Sequence, residues 1–223
     1  MFIEMIDLLR CVNEHEDTWL VASFRQITNR MVIEGTLGCP ICSAEYEIIN
    51  GVPDFARGER QNPATPTAPE DRQLGALGGA AGSDELILAT RAGAYLDATQ
   101  PGATIVLGGT WANAAQQLAE MADARVIVLN APGRVRETER VGLVRVGTRI
   151  PLATNSVHGA ALDASFLPVA LEAALRTVKP GGRVVGPASS NPPSQSTVLA
   201  RDQSNWVAEK AAEMIPIRRS KHS

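Results

Sequence analysis

The chain has 223 residues with a formal net charge of −3; 44 % of the residues are apolar and only 4 % are aromatic. That length allows one ordinary domain and a second small one, with a core of aliphatic side chains. The charge excludes a global basic field of the kind that attracts nucleic acid, and no apolar run reaches the roughly 20 residues needed to cross a bilayer. The first residues lack the basic start of a signal peptide, so we expect a cytoplasmic protein whose thiols stay reduced.

The N-terminal part of the chain predicts a small β-structured domain. Apolar runs separated by turn residues predict strands, and Asn50-Gly51 is a strong hairpin signal between the last two of them. The predicted strands are residues 19–27, 31–37, 46–49 and 52–55. A domain of this size buries little core, so we expect a metal to stabilise it in a reducing compartment.

The three cysteines all lie in this region, and their spacing predicts a zinc site. Cys39-Pro40-Ile41-Cys42 is typical of a zinc-ribbon knuckle, in which two thiolates turn toward one metal. Structural zinc takes four ligands, and the segment from Cys11 to His15 supplies a thiol and an imidazole. The predicted zinc ligands are Cys11, His15, Cys39 and Cys42. The alternatives to His15 as the fourth ligand are Glu14, Glu16 and Asp17.

These motifs give residues 1–55 a resemblance to a known family. Leu8-Leu9-Arg10-Cys11, the knuckle, Tyr46-Glu47-Ile48 and Asn50-Gly51-Val52-Pro53 follow in the order found in the small zinc-ribbon subunit that activates tRNA and rRNA methyltransferases, and in its short bacterial relatives. His15 stands where that family usually has a second cysteine. The resemblance implies that this domain binds a methyltransferase, so we expect a protein partner, with the zinc ribbon as one route to it.

The composition changes after Phe55. Residues 57–83 are rich in Pro, Gly, Ala and Thr and carry no sustained apolar period, which predicts a linker. The predicted organisation is therefore a zinc-ribbon domain over residues 1–56, the linker over 57–83 and a second domain over 84–223, without a continuous core between the two domains.

Beyond the linker, predicted helices alternate with short apolar strands. The predicted helices are residues 84–98, 111–122, 167–178 and 206–213. The predicted strands are residues 104–107, 125–129, 141–146, 160–162, 183–185 and 215–218. Such alternation is typical of a mostly parallel sheet with helices on both faces. The expected fold class is α/β, a Rossmann-like parallel sheet with a small N-terminal β zinc ribbon.

Residues 85–218 resemble a class I S-adenosylmethionine-dependent methyltransferase. The segment 101–109 is similar to the first strand and glycine loop of that family, and 126–130 to its second strand. The segment 150–158 is similar to the loop before the fourth strand, with His158 about where an Asp is expected. The most specific match is 175–185, which contains Lys-Pro-Gly-Gly between a helix and a strand. The resemblance implies a methyltransferase-type fold with a cofactor site at the glycine loop.

The candidate cofactor residues depart from the family pattern. They are Gly108, Gly109, Trp111 and Asn130. Only the first glycine of the loop is retained, and the indole of Trp111 is expected to project toward cofactor space, unless it packs as an ordinary helix residue. Asn130 stands where the family has an acid for the ribose hydroxyls, a loss on the order of 1–3 kcal/mol. These changes argue against S-adenosylmethionine as a cofactor.

Two functions follow from this interpretation. The favoured hypothesis is a non-catalytic, methyltransferase-like pseudoenzyme with a structural zinc ribbon, which acts as a binding or assembly subunit. The alternative is an active S-adenosylmethionine-dependent methyltransferase with an altered cofactor loop. No catalytic constellation is recognisable, so no catalytic residue is assigned. The polar, Pro-rich segment 186–195 also predicts that the closing hairpin of the sheet is truncated.

Overall fold

The computed structural model describes residues 1–57, 81–166 and 168–212. We call residues 1–57 the N-terminal module. It begins with a 3-10 helix, Ile3–Leu8, and continues with four strands, numbered in chain order. These strands are β1 (Val21–Thr28), β2 (Met31–Gly38), β3 (Glu45–Ile49) and β4 (Val52–Pro53). Each pairs antiparallel with the next, which makes a small meander sheet.

The rest of the described chain forms a sheet of seven strands, in the order β10-β11-β9-β8-β5-β6-β7. Its strands are β5 (Thr104–Gly108), β6 (Arg125–Leu129), β7 (Val141–Val144), β8 (Val157–Ala161), β9 (Val178–Pro187), β10 (Ser196–Arg201) and β11 (Asn205–Lys210). Its α-helices are α1 (Ala81–Leu96), α2 (Ala115–Met121) and α3 (Pro168–Thr177), and a 3-10 helix, Gly109–Ala114, lies between β5 and α2. Strands β5 to β9 are parallel to one another. Strand β11 runs antiparallel to both β9 and β10, so β10 has the same direction as β5 to β9. The predicted fold class is confirmed: a mixed α/β chain with a mostly parallel, Rossmann-like sheet and a small N-terminal β sheet. No helix within the described ranges has the length and apolar character that a membrane span requires.

Two expectations about the end of the sheet are wrong. Residues predicted to form a helix from Trp206 onward form strand β11, which pairs with β9 on one edge and with β10 on the other. Trp206, Val207 and Ala208 are buried in succession because neighbours cover both faces of this strand, and such burial overrides local helical preference. The second wrong expectation is a truncated closing hairpin, because β10 and β11 pair antiparallel and complete the hairpin at this edge of the sheet. The predicted strand 215–218 and most of the predicted linker, residues 58–80, lie outside the described residues.

The two faces of the parallel sheet are covered by different parts of the chain. On one face, α1 and α2 pack on alternate residues of β5 and β6, including Ile105 and Val126. On the other face α3 packs against β8 and β9. The connections 130–140 and 145–156, on either side of β7, contain no helix. The sheet therefore needs another element over β5, β6 and β7, because parallel sheets are stable only with both faces covered.

The N-terminal module supplies that cover. Leu37 and Ile48 of the module belong to one buried cluster with Ile127 and Val144 of the parallel sheet. The module lies very close to the parallel sheet at Gly142 of β7, where an added Cβ would lie 2.6 Å from the sulfur of Met5. The expectation of two separate cores is therefore wrong for the described residues, because the missing helices leave apolar surface that the module buries. The domain boundaries themselves stay a prediction.

Backbone hydrogen bonds reinforce this docking. The Phe55 N–H donates to the Arg145 carbonyl at 2.9 Å, and the Arg145 N–H donates to the Pro53 carbonyl at 3.0 Å. The module thus continues the sheet past the end of β7, which would otherwise be an uncovered edge. A second contact lies near the start of the chain, where the Arg10 N–H donates to the Pro151 carbonyl at 2.9 Å.

Candidate metal centre and cofactor crevice

The structure brings together the four residues that the sequence predicts as zinc ligands. Cys11 and His15 lie in the loop after the first 3-10 helix, and Cys39 and Cys42 lie in the turn between β2 and β3. One ligand atom from each of the four residues lies within 4.8 Å of the other three. This convergence is confirmed, and the group can hold a metal ion.

The interatomic distances fit tetrahedral zinc. Zn–S bonds of about 2.3 Å and Zn–N bonds of about 2.0 Å place two sulfurs roughly 3.8 Å apart and a sulfur and a nitrogen roughly 3.5 Å apart. The Cys11 and Cys42 sulfurs are 3.6 Å apart, and the Cys39 sulfur is 3.3 Å from Nε2 of His15. The donor set of thiolates and an imidazole is also the set that zinc prefers.

Neighbouring groups orient these ligands. Nδ1 of His15 lies 2.7 Å from the Glu16 carbonyl, so this nitrogen carries the proton and Nε2 keeps a free lone pair toward Cys39. The Asn13 side-chain amide donates to the Cys42 sulfur at 3.3 Å and lowers the pKa of that thiol to about 6. Burial raises the pKa of the Cys11 thiol to about 11.

A residue of the parallel-sheet part holds the same ligand loop. The Arg149 guanidinium donates to the Val12 carbonyl and to the Glu14 carboxylate, both at 2.7 Å. Glu14 was an alternative fourth ligand, but its carboxylate points to Arg149. Sequence reasoning missed Asn13 and Arg149, because their roles depend on the packing of the loop against distant residues.

The candidate cofactor crevice lies at the switch point of the parallel sheet. The chain runs outward from β5 through β6 to β7, then returns to place β8 on the other side of β5. In open α/β sheets, ligands bind outside the carboxyl ends of the strands at such a point. The 3-10 helix after β5 and the loop after β8 lie at this point. Gly108 ends β5, and Gly109 follows it with φ +66°.

A carboxylate from the β8 loop fills this point. Asp163 accepts a hydrogen bond from the Thr110 backbone N–H at 2.7 Å, and its carboxylate is so close to Gly109 that an added Cβ there would lie 2.0 Å from it. Burial acts to raise the pKa of Asp163, but hydrogen bonds from Ser165 and Thr110 outweigh it and leave the pKa below its usual value. Asp163 is therefore ionised at neutral pH. Asp163 was not among the residues predicted from the sequence. The signal that could have identified it is an acidic residue just after a short apolar strand.

Both polar atoms of the Asn130 side chain are also hydrogen-bonded within the chain. Asn130 follows the last residue of β6 with φ +50°, as expected for the end of the second strand. Its Nδ2 donates to the Val146 carbonyl at 3.0 Å, and its Oδ1 accepts from the Val146 N–H at 2.9 Å. Both polar atoms of the amide therefore bridge to the segment after β7.

Trp111 and His158 lie elsewhere than expected. The Trp111 indole is buried in the core under α1, with its ring centroid 6.3 Å from that of Tyr95, so it does not project into the crevice. This is the packing alternative that the sequence left open. His158 lies near the start of β8, where its Nδ1 accepts from the Thr104 N–H at 2.9 Å. It is at the opposite end of the strand from Asp163.

No protein-family model matches the chain, and no curated protein matches it. Solved structures show partial likenesses. The MycE methyltransferase from the mycinamycin biosynthetic pathway, in complex with Mg and SAH, is similar with 10 % identity and a TM-score of 0.44 over 59 % of this chain and 48 % of that one. The [4+2]-cyclase SpnF is similar with 18 % identity and a TM-score of 0.39 over 45 % of this chain and 44 % of that one.

A Methanococcus maripaludis protein described as an S-adenosyl-L-methionine-dependent methyltransferase is similar with 13 % identity and a TM-score of 0.45, over 61 % of this chain and 90 % of that one. The chain thus spans about half the length of MycE and SpnF. At these levels of identity the likeness concerns backbone arrangement and not chemistry.

Proposed function

We propose that this chain is a non-catalytic, methyltransferase-like protein that acts as a binding or assembly subunit, with a zinc ion that holds its N-terminal module in place. The observation that carries the proposal is the position of Asp163. Its carboxylate lies against Gly109 and accepts the Thr110 N–H, at the point of the sheet where a ligand would need both the space and the donor.

The strand order of this chain supports the methyltransferase-like part of the proposal. Counted within the large sheet, the strand order is 6-7-5-4-1-2-3 with an antiparallel seventh strand, which is the arrangement of class I methyltransferases. The Lys-Pro-Gly-Gly segment predicted from the sequence lies in β9, the fifth strand of that sheet. The strand order therefore favours a methyltransferase-like fold, whereas the position of Asp163 in the crevice argues against methyl transfer.

The free-energy cost of breaking hydrogen bonds in the crevice also argues against S-adenosylmethionine binding. A ligand in the crevice would have to displace Asp163 from Thr110 and separate Asn130 from Val146. Hydrogen bonds to a charged group contribute about 1.5–3 kcal/mol each, and neutral ones about 1 kcal/mol. A total cost of about 3.5–5 kcal/mol would weaken a micromolar site by several hundred- to several thousand-fold, to roughly millimolar.

Zinc has a structural role in this proposal. Three thiolates and an imidazole fill all four positions of a tetrahedral ion, so no position remains for water or substrate. In small metal-binding modules the free energy of metal binding is also free energy of folding. The ligand loop contacts Arg149, so an ordered ligand loop also supports the docked module.

Calorimetric titration of the full chain with S-adenosylmethionine and S-adenosylhomocysteine tests the proposal. We expect no saturable binding below millimolar concentration. Asp163→Ala is the matched variant, because it vacates the crevice and leaves Gly109 and Thr110 unchanged, so it should bind the cofactor more tightly than the unmodified chain. Micromolar binding by the unmodified chain would overturn the proposal and favour the active methyltransferase.

A further inference from the structure

We propose that Tyr46 is a positioning residue that couples metal binding at Cys11 to docking of the N-terminal module on the parallel sheet. The inference rests on the proposed zinc site and adds to it a route by which the ion stabilises the rest of the molecule. Tyr46 lies in β3, four residues after Cys42, and belongs to none of the predicted ligand pairs.

The hydroxyl end of Tyr46 meets the ligand loop. Its oxygen lies 3.0 Å from the Cys11 sulfur and 3.3 Å from the Val12 nitrogen. The Val12 N–H donates to this oxygen. A metal-bound Cys11 thiolate has no proton, so the Tyr46 hydroxyl would donate to the sulfur in the zinc-bound state. A phenol hydroxyl is a donor as well as an acceptor, so one oxygen can serve both partners. One side chain therefore positions both the metal-binding sulfur and the backbone that follows it.

The ring end of Tyr46 meets the docking surface. The side chain is fully buried, and its ring centroid lies 4.4 Å from that of Phe55. Phe55 is also fully buried, and its N–H donates to the Arg145 carbonyl beyond the end of β7. A continuous set of contacts therefore runs from Cys11 through Tyr46 and Phe55 to the parallel sheet.

A second contact acts on the same loop from the other side. Arg149 follows β7 and donates to the Val12 carbonyl, while Tyr46 accepts from the Val12 N–H. The peptide groups flanking Val12 are thus held by the module on one side and by the parallel-sheet part on the other. Because coupling between two binding events is reciprocal, changes on the docking side should also weaken metal binding.

The decisive variant is Tyr46→Phe, which keeps the ring and removes only the hydroxyl. We expect the zinc affinity, measured by competition with a chromophoric chelator, to fall by about 10- to 100-fold, the usual effect of losing an outer hydrogen bond to a metal ligand. The matched control is Tyr95→Phe, since Tyr95 is the other of the two tyrosines and its hydroxyl bonds Asp202 instead. That control should bind zinc as the unmodified chain does.

Two further readouts separate positioning from general packing. In the cobalt-substituted protein, the thiolate-to-metal charge-transfer band should move to longer wavelength in Tyr46→Phe, because the Cys11 sulfur loses a hydrogen-bond donor; Tyr95→Phe should leave it unchanged. In hydrogen exchange, zinc should slow exchange of the Phe55 and Arg145 amides in the unmodified chain, and should slow it less in Tyr46→Phe.

The outcomes are distinguishable. An unmodified chain that binds no zinc would overturn the metal site itself. Zinc binding with the same affinity, band position and exchange protection in Tyr46→Phe would overturn the coupling and leave the metal site intact. If Tyr46→Phe does not fold, Arg149→Gln tests the reciprocal arm: a lower zinc affinity supports the coupling, and an unchanged affinity contradicts it.

Discussion

At the scale of single residues, the carboxylate of Asp163 lies against Gly109 at the switch point of the sheet. Its carboxylate accepts hydrogen bonds from the Thr110 N–H and from both the N–H and the hydroxyl of Ser165. A carboxylate that caps the loop after β5 satisfies backbone groups that a bound ligand would otherwise satisfy. The same contacts make Asp163 a contributor to stability, which gives the site a test that needs no ligand.

Asp163→Asn should lower the free energy of unfolding by about 1–2 kcal/mol at neutral pH, because the charge-assisted hydrogen bonds weaken. The folded-state pKa of Asp163 is lowered, so its stabilisation is present above the unfolded pKa of about 3.9 and is lost as the pH falls through the folded pKa. Urea denaturation should therefore show a constant difference between the unmodified chain and the variant from pH 7 to about pH 4, and a smaller one below.

The matched control is Asp123→Asn. Asp123 has a side chain 61 % exposed and an ion pair with Arg140, and asparagine tolerates its positive φ. We expect a change of less than about 0.5 kcal/mol there, as for most exposed ion pairs. Equal effects of the two substitutions would contradict a special role for Asp163.

At the scale of elements, the knuckle is held by few backbone contacts. The Cys39 N–H donates to the Ala44 carbonyl at 2.8 Å, and the Ser43 N–H donates to the Cys39 carbonyl at 3.0 Å. The loop that carries Cys11 and His15 has no regular secondary structure. A metal that joined this loop to the β2–β3 turn would supply order that the backbone does not.

We therefore expect purified protein to contain about one zinc per chain by metal analysis. Cys39→Ser should lose the metal and abolish protection of residues 1–57 in hydrogen exchange, because metal binding and folding are coupled in such modules. Ile41→Ser is the control: Ile41 lies in the same turn, is 47 % exposed and supplies no ligand. A metal-free chain with an ordered module would contradict the site, while full affinity in His15→Ala would reject only the fourth ligand.

At the scale of the whole molecule, the N-terminal module takes the place of helices that the connections around β7 lack. The module and the parallel sheet share a buried cluster that includes Leu9, Leu152 and Ile127. Apolar burial of this kind stabilises by about 25 cal/mol per Å² of surface removed from water, so separation of the two parts would be costly. Among the described residues, the two parts therefore share one buried core.

Limited proteolysis tests this expectation. The composition of residues 57–83 predicts that cleavage occurs there first. Because the core is shared, the two fragments should stay associated in gel filtration after cleavage, and a zinc chelator should separate them by releasing the module. Fragments that separate while zinc remains bound would contradict the shared core.

The sequence by itself was sufficient for the features that depend on local chemistry. Cysteine and histidine spacing predicted the four residues that converge at the candidate metal centre, because two short loops carry them and few residue types bind zinc. Alternating helical and apolar segments predicted a parallel sheet, and Gly108 and Asn130 were correctly placed at the ends of β5 and β6.

Only the tertiary structure decided the features that depend on distant neighbours. Trp206 became part of a strand because β9 and β10 flank it, and Trp111 packed under α1 instead of entering the crevice. Asp163 acquired its role from a loop far away in sequence, and the linker composition carried no sign that the two parts share a core. Burial and pairing set these outcomes, and both are properties of the folded chain, so no local pattern encodes them.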